Sequence, residues 1–132
     1  MATSALAQSA GALHVHLDGF RSNNGQAYCS IYNDATAFPS HGEKAVKLGK
    51  AATIKDASAT INFDSLAPGK YAAVCYHDEN SNGKFDENAL GMPKEGYGFS
   101  NNPNTTFGPA SFKEASFTYS GGDLPLMVKV SY

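Results

Sequence analysis

Apolar and polar residues alternate in several short segments of the chain. Leu13, Val15 and Leu17, for example, are separated by single polar residues, which is the period of a half-buried β-strand. The pattern predicts seven strands, over residues 13–18, 26–32, 45–54, 59–63, 71–77, 116–119 and 124–132. No segment shows the spacing of three to four residues that an amphipathic helix requires. The chain is therefore predicted to be all-β, as an antiparallel two-sheet β-sandwich.

Turn residues separate these predicted strands. Pro68-Gly69 precedes the strand at residue 71 and predicts a type II turn, in which Gly69 would take a positive φ. Gly121-Gly122-Asp123 predicts a hairpin-like turn between the last two strands. Residues 78–110 are rich in Asn, Gly and Pro and predict the longest irregular region.

Length and charge limit the classes of function. The 132 residues, 42% of them hydrophobic, suit one domain, predicted at 13–132. Ten basic and twelve acidic residues leave a net charge of −2, so no basic surplus favours nucleic-acid binding. No apolar run approaches the ~18 residues of a membrane-spanning helix.

The N-terminal residues suggest export. Residues 1–12 are mostly small, and Ala5-Leu6-Ala7-Gln8 is typical of the end of a secretory signal peptide. We expect 1–12 to be a disordered signal-peptide remnant or a tag, and a low-complexity terminus is the alternative.

Cys29 and Cys75 lie in predicted strands. They could form the disulfide of an exported protein or remain two buried thiols.

One segment has the spacing of a calcium loop. Asp78, Asn80 and Asn82 place oxygen donors at every second residue, Gly83 permits a sharp turn, and Asp86 closes the series. Ca²⁺ prefers six to eight oxygen ligands, and the carbonyl of Lys84 would add another. The alternative is a solvated Asn/Gly-rich turn.

An EF-hand is excluded by the rest of the segment. The twelfth position of such a loop requires a bidentate Glu, and here it is Ala89. A predicted strand also precedes the loop where an EF-hand has a helix. Glu87 and Glu95 are the nearest candidates for a last carboxylate ligand, and residues 78–95 have a net charge of −3.

The same residues carry a resemblance. Residues 66–71, the loop from Asp78 to Asp86, and Gly91-Met92-Pro93 resemble prealbumin-like (SdrD B-type) calcium-binding β-sandwich repeats of bacterial surface proteins. The longer run from Tyr76 to Asn102 resembles a narrower family of exported bacterial domains of unknown function. Its motif is H-D-x-N-x-N-G-x-x-D followed by G-x-P-x-E-G-Y-G-F-S-N.

The resemblance implies a secreted or periplasmic bacterial β-sandwich of immunoglobulin or prealbumin type, with no assigned activity. Asn82 stands where the surface-protein repeats prefer Asp, which removes one charge from the loop. Calcium affinity is then expected toward the ~10⁻⁴–10⁻³ M range of extracellular modules.

Three other groups are candidates for chemistry. Tyr97 and Phe99, between glycines, are either platforms for a small molecule or glycan or plugs at the end of the sandwich. His14, His16 and His77, with Met92, are a possible copper or zinc set, although surface histidines have the same pattern. Ser100 or Ser111 with His77 and an acid would make a triad, but nothing around them resembles a nucleophile elbow. We expect His77 to position the loop by hydrogen bonding a backbone carbonyl.

The sequence therefore predicts an exported, non-enzymatic β-sandwich module with a structural calcium loop at 78–86. The alternatives are a periplasmic binding protein that uses residues 95–110 and a transition-metal binder. Predicted partners are calcium and a small molecule, a glycan or another exported protein.

Overall fold

The computed structural model describes residues 11–39, 41–51, 53–79, 96–105 and 108–132. They form eight strands and one short helix. The strands are β1 (Ala12–Asp18), β2 (Gln26–Tyr32), β3 (Lys47–Lys50), β4 (Ser58–Asp64), β5 (Gly69–Asp78), β6 (Tyr97–Phe99), β7 (Ser116–Tyr119) and β8 (Leu124–Lys129). A 3₁₀ turn spans Gly42–Lys44, and helix α1 spans Phe112–Ala115.

Two sheets pack face to face, which confirms the predicted sandwich. One sheet has the order β4-β1-β8, and the other has the order β3-β2-β5-β6, with β7 also paired to β5. The strand pairs are antiparallel except β1 with β8, which run parallel. A parallel neighbour needs a long connection, and here the rest of the domain supplies it.

The main core lies between the sheets. Alternate residues of β1 and β2, such as Val15 and Ile31, are fully buried there with Phe63 and Val128. A second apolar cluster covers the outer face of the five-stranded sheet, where Tyr32 and Phe99 pack beneath Phe38. Both faces of this sheet are therefore partly buried.

β5 is the central strand of the larger sheet. Its first half pairs with β7 and its second half with β6, so two short strands lie end to end along one edge. On its other edge β5 pairs with β2 along seven residues, from Ala72 to Asp78. This register places Cys29 opposite Cys75, and the two form a disulfide inside the core.

Two elements were missed by the alternation pattern. β6 is three residues long and lies within the region predicted to be irregular. Helix α1 has a capping box, in which the Ser111 hydroxyl accepts from the Glu114 N–H and the Glu114 carboxylate accepts from the Ser111 N–H. The S-x-x-E sequence was the available signal for this helix.

Two turn predictions were wrong. Gly69 is not among the residues with positive φ; Ser65, four residues earlier, has φ +59°. Gly121 and Gly122 do not close a hairpin, because β7 belongs to the five-stranded sheet and β8 to the other. Within the described residues, no helix is long and apolar enough to cross a membrane.

Candidate functional site

The first predicted calcium ligand lies at the end of β5. Asp78 is the last residue of that strand, pairs in register with Gln26, and is fully buried. A fully buried acidic side chain is uncommon, and among the described residues no buried side-chain polar atom lacks a hydrogen-bond partner. The other predicted ligands, Asn80, Asn82, Lys84, Asp86, Glu87 and Glu95, lie outside the described residues, as does Met92.

His77, the residue before Asp78, is fully buried, and both of its ring nitrogens are hydrogen bonded. Nε2 lies 2.6 Å from the carbonyl oxygen of Asn24, and Nδ1 lies 2.7 Å from the hydroxyl of Tyr132. The carbonyl can only accept, so Nε2 donates to it, and Nδ1 shares a hydrogen bond with the Tyr132 hydroxyl. The carbonyl contact expected of His77 is present, and it ties β5 to the loop between β1 and β2.

An ion pair follows directly after Asp78. Arg21 donates from Nε and Nη2 to Glu79 Oε1, at 3.0 and 2.5 Å, and the Ser22 hydroxyl donates to Oε2 at 2.7 Å. These contacts, from Arg21 first and Ser22 second, lower the pKa of Glu79 to about 2. The Arg21 guanidinium also lies 4.7 Å from the centroid of the Tyr132 ring.

Gly25 lets the β1–β2 loop pass close to the end of β5. Its φ is +78°, and a Cβ at this position would lie 2.0 Å from the carbonyl oxygen of Asp78. Only glycine fits such an approach without displacing the backbone. The point where β5 ends is thus held by the disulfide, by His77, by the Arg21–Glu79 pair and by this contact.

The second predicted site lies at β6. Tyr97 is half-buried and Phe99 is 4% exposed, so Phe99 acts mainly as a core residue of the outer cluster rather than as a plug at the sandwich end. The backbone of Tyr97 exchanges two hydrogen bonds with Ser131, which joins β6 to the chain after β8. A cleft of about 130 Å³ lies along this seam.

Three polar residues after β6 tie this segment to its neighbours, and Asn102 is the one that reaches β8. The Ser100 hydroxyl, fully buried, accepts from the Ala73 N–H and donates to the Ala115 carbonyl. Asn101 donates to the carbonyls of Glu114 and Ser116. The Asn102 amide accepts from the Lys129 N–H and donates to the Met127 carbonyl, as a neighbouring strand would.

A family model for uncharacterized proteins conserved in bacteria, DUF2141, matches residues 15–126. The chain belongs to this family. No curated protein and no solved structure matches it. The predicted membership of a bacterial family of unknown function is confirmed, and the resemblance to prealbumin-like repeats stays a prediction.

The DUF2141 domain does not assemble the serine triad considered from sequence. Ser100 lies beside Ala73 of β5. Ala73 and His77 are four residues apart on that strand, which corresponds to about 13 Å. The Ser100 hydroxyl is hydrogen bonded to Ala73 and Ala115, and the His77 ring is hydrogen bonded to Asn24 and Tyr132. Ser111 caps α1. These residues hold the fold together.

The three histidines considered as a metal set are not one site in this DUF2141 domain. His14 and His16 share the outer face of β1, where their Nδ1 atoms contact Asn62 and Thr60 of β4. His77 is buried in the other sheet. In the part of the chain that the structure describes, no three His, Cys, Asp or Glu side chains are placed to hold a metal ion.

Proposed function

We propose that this DUF2141 domain is an exported, non-enzymatic β-sandwich module whose segment after β5 binds Ca²⁺ as a structural ion. The observation that carries the proposal is the fully buried carboxylate of Asp78 at a fixed strand end. It is the first member of the regularly spaced oxygen series at residues 78–86. An ion that binds only the folded chain stabilises it by mass action.

The donor set fits calcium chemically. All the candidate groups are oxygens, as a hard cation prefers, and Asp78 would be the ligand that the sheet positions. The ion would be held by Asp78, Asn80, Asn82, the Lys84 carbonyl and Asp86, with Glu87 or Glu95 as a further carboxylate. When bound, it would neutralise part of the net charge of −3 on residues 78–95.

The neighbours of Asp78 are held in fixed positions, which supports a calcium site whose first ligand moves little when the ion binds. His77 is fixed through both ring nitrogens, and Glu79 is fixed by Arg21 and Ser22. The ligand between them therefore starts from a defined position, which reduces the entropy that cation binding has to overcome.

The disulfide supports export. Cys29 and Cys75 are joined, and such bridges persist in the periplasm and outside the cell but are rare in the bacterial cytosol. Together with the signal-like Ala5–Gln8 segment, this favours a periplasmic or secreted location.

Calorimetric titration of the metal-free chain with Ca²⁺ tests the proposal, alongside thermal melts in chelator and in millimolar Ca²⁺. We expect saturable binding with a dissociation constant on the order of 10⁻⁴–10⁻³ M and a higher Tm with the ion. Asp86→Asn should weaken binding. Asp64→Asn, at the exposed end of β4, is the matched control and should bind as the wild type does.

A Tm that is the same with and without the ion, together with no binding heat, would overturn the calcium site. Equal weakening by Asp86→Asn and Asp64→Asn would overturn the assigned ligands, because it would indicate only general charge attraction.

A further inference from the structure

The cleft at the seam between β6 and β8 is lined by residues of β6, of the segment after it and of the chain from Lys129 to Ser131. Lys129 and Ser131 are exposed on one side, while Val128 and Val130 point into the core. Tyr97 and the edge of Phe99 form the other side, and Pro103 and Thr105 complete the lining. The cleft therefore has an aromatic wall and a polar wall.

The frame of this cleft is rigid. Two backbone hydrogen bonds, at 3.0 and 2.9 Å, join Tyr97 and Ser131, both of which line the cleft. The Asn102 amide fastens the loop that carries Pro103 and Thr105 to the edge of β8. Asn101 and Asn102, with φ of +67° and +47°, turn the chain at this point.

Charge and size limit what the cleft can hold. Among the described residues that line it, Lys129 is a cation and none is acidic. Lys129 makes no ion pair within the described residues, although Asp18 is its register neighbour on β1. The hydroxyls of Thr105 and Ser131 are further potential donors. A volume of about 130 Å³ is close to that of an engineered cavity that binds benzene, so about six non-hydrogen atoms fit.

We propose that the seam cleft binds a small monocarboxylate. The Lys129 ammonium pairs with the carboxylate, and the apolar part of the ligand lies against Tyr97 and Pro103. None of the described residues that line the cleft is a proposed calcium ligand.

Amide-resolved NMR titration of the full chain, in calcium-containing buffer, tests this site with butyrate as the probe. We expect saturable shifts at Tyr97, Thr105 and Ser131, with a dissociation constant on the order of 1 mM for a ligand of this size. Butyramide has the same shape without the charge and should bind roughly tenfold more weakly.

Two variants locate the interaction. Lys129→Gln keeps most of the side-chain length and should weaken butyrate binding by about fivefold to tenfold, with butyramide binding unchanged. Lys50→Gln is the matched control, because Lys50 is an exposed strand lysine on β3, at the opposite edge of the larger sheet. Ser131→Leu narrows the cleft and should weaken both ligands.

The proposal is overturned if butyrate causes no saturable shifts, or if Lys50→Gln weakens its binding as much as Lys129→Gln does. Equal binding of butyrate and butyramide would also overturn it. So would a saturable response to glucose in the absence of one to butyrate, because the cleft would then recognise hydroxyls rather than a carboxylate.

Discussion

Ser100 shows how a single buried hydroxyl replaces a missing part of a sheet. β7 pairs with β5 up to Ala72 and β6 begins pairing at Val74, so Ala73 lies between the two ladders. The Ser100 hydroxyl accepts from the Ala73 N–H at 2.9 Å, and the Ser100 N–H donates to the Ala73 carbonyl at 3.0 Å. The backbone at the break is thereby satisfied, as buried polar groups require.

Replacing Ser100 by Ala should lower the free energy of unfolding by about 1–3 kcal/mol, because the Ala73 N–H and the Ala115 carbonyl lose their buried partner. Urea unfolding measures this. Ser120→Ala, at an exposed position, is the control and should change stability by less than about 0.5 kcal/mol. Equal stability of the two variants would contradict the role of Ser100.

His14 links three segments on the outer face of the smaller sheet. Its ring contacts Asn62 Oδ1 of β4 at 2.7 Å and Asp123 Oδ1 at 3.1 Å, and Asp123 also accepts from the Ala12 N–H. Both ring partners are acceptors, so the doubly protonated ring suits them. The bonds to Asn62 and then to Asp123 raise the pKa of His14, and the bond from His14 lowers the pKa of Asp123.

Because the pKa of His14 is raised in the folded protein, its protonation stabilises the fold fully at pH values below 6.5, the ordinary pKa. This contribution is lost as the pH rises through the raised pKa. The contribution of Asp123 is present above 3.8 and is lost as the pH falls through its lowered pKa. We therefore expect His14→Gln to lower Tm more at about pH 5.5 than at about pH 8.5. Thermal melts at both pH values measure the difference, which should shrink in an Asp123→Asn background. The same loss at both pH values would refute the assignment.

At the scale of elements, alternation predicted strands best where one face is buried. β2 and β7 have the bounds expected from sequence, β1 begins one residue earlier than expected, and β4 is one residue longer at each end. β6 and α1 were missed because three or four residues contain less than one clear period. The position of β6 depends on the contacts that Ser100 and Asn101 make with segments distant in sequence, whereas α1 begins at the local capping box of Ser111.

The β1–β2 loop and the end of β5 are predicted to be intolerant of any side chain at Gly25. Gly25→Ala should destabilise the fold by more than about 2 kcal/mol, since it combines a positive φ with a Cβ 2.0 Å from the Asp78 carbonyl. Gly122→Ala is the matched control, because nothing lies within 4 Å of a Cβ there and its φ is not positive. Chemical unfolding of both variants measures the contrast, and a Gly25→Ala variant as stable as Gly122→Ala would show that the contact is not tight.

At the scale of the whole molecule, the disulfide joins the two central strands of the larger sheet and faces the common core. It closes a loop with a sequence separation of 46 residues, for which chain entropy predicts about 4 kcal/mol of stabilisation. The domain should then unfold as one unit, since both sheets share that core.

The double variant Cys29→Ala/Cys75→Ala should lose about 2–5 kcal/mol of stability. Urea unfolding of the variant, compared with the wild type with and without reductant, measures the loss. Reductant should destabilise the wild type and leave the variant unchanged. A wild type whose midpoint does not move after its bridge is shown to be reduced would contradict this contribution.

The sequence by itself determined the strand-rich class, the inward faces of the longer strands and the spacing of oxygen donors at residues 78–86, because each depends on neighbours along the chain. Only the tertiary structure decided the parallel pairing of β1 with β8, the joining of Cys29 to Cys75, the separation of His77 from the other histidines and the cleft at the β6–β8 seam. Those features depend on which strands become neighbours, and that choice is made by burying both sheets at once rather than by any local pattern.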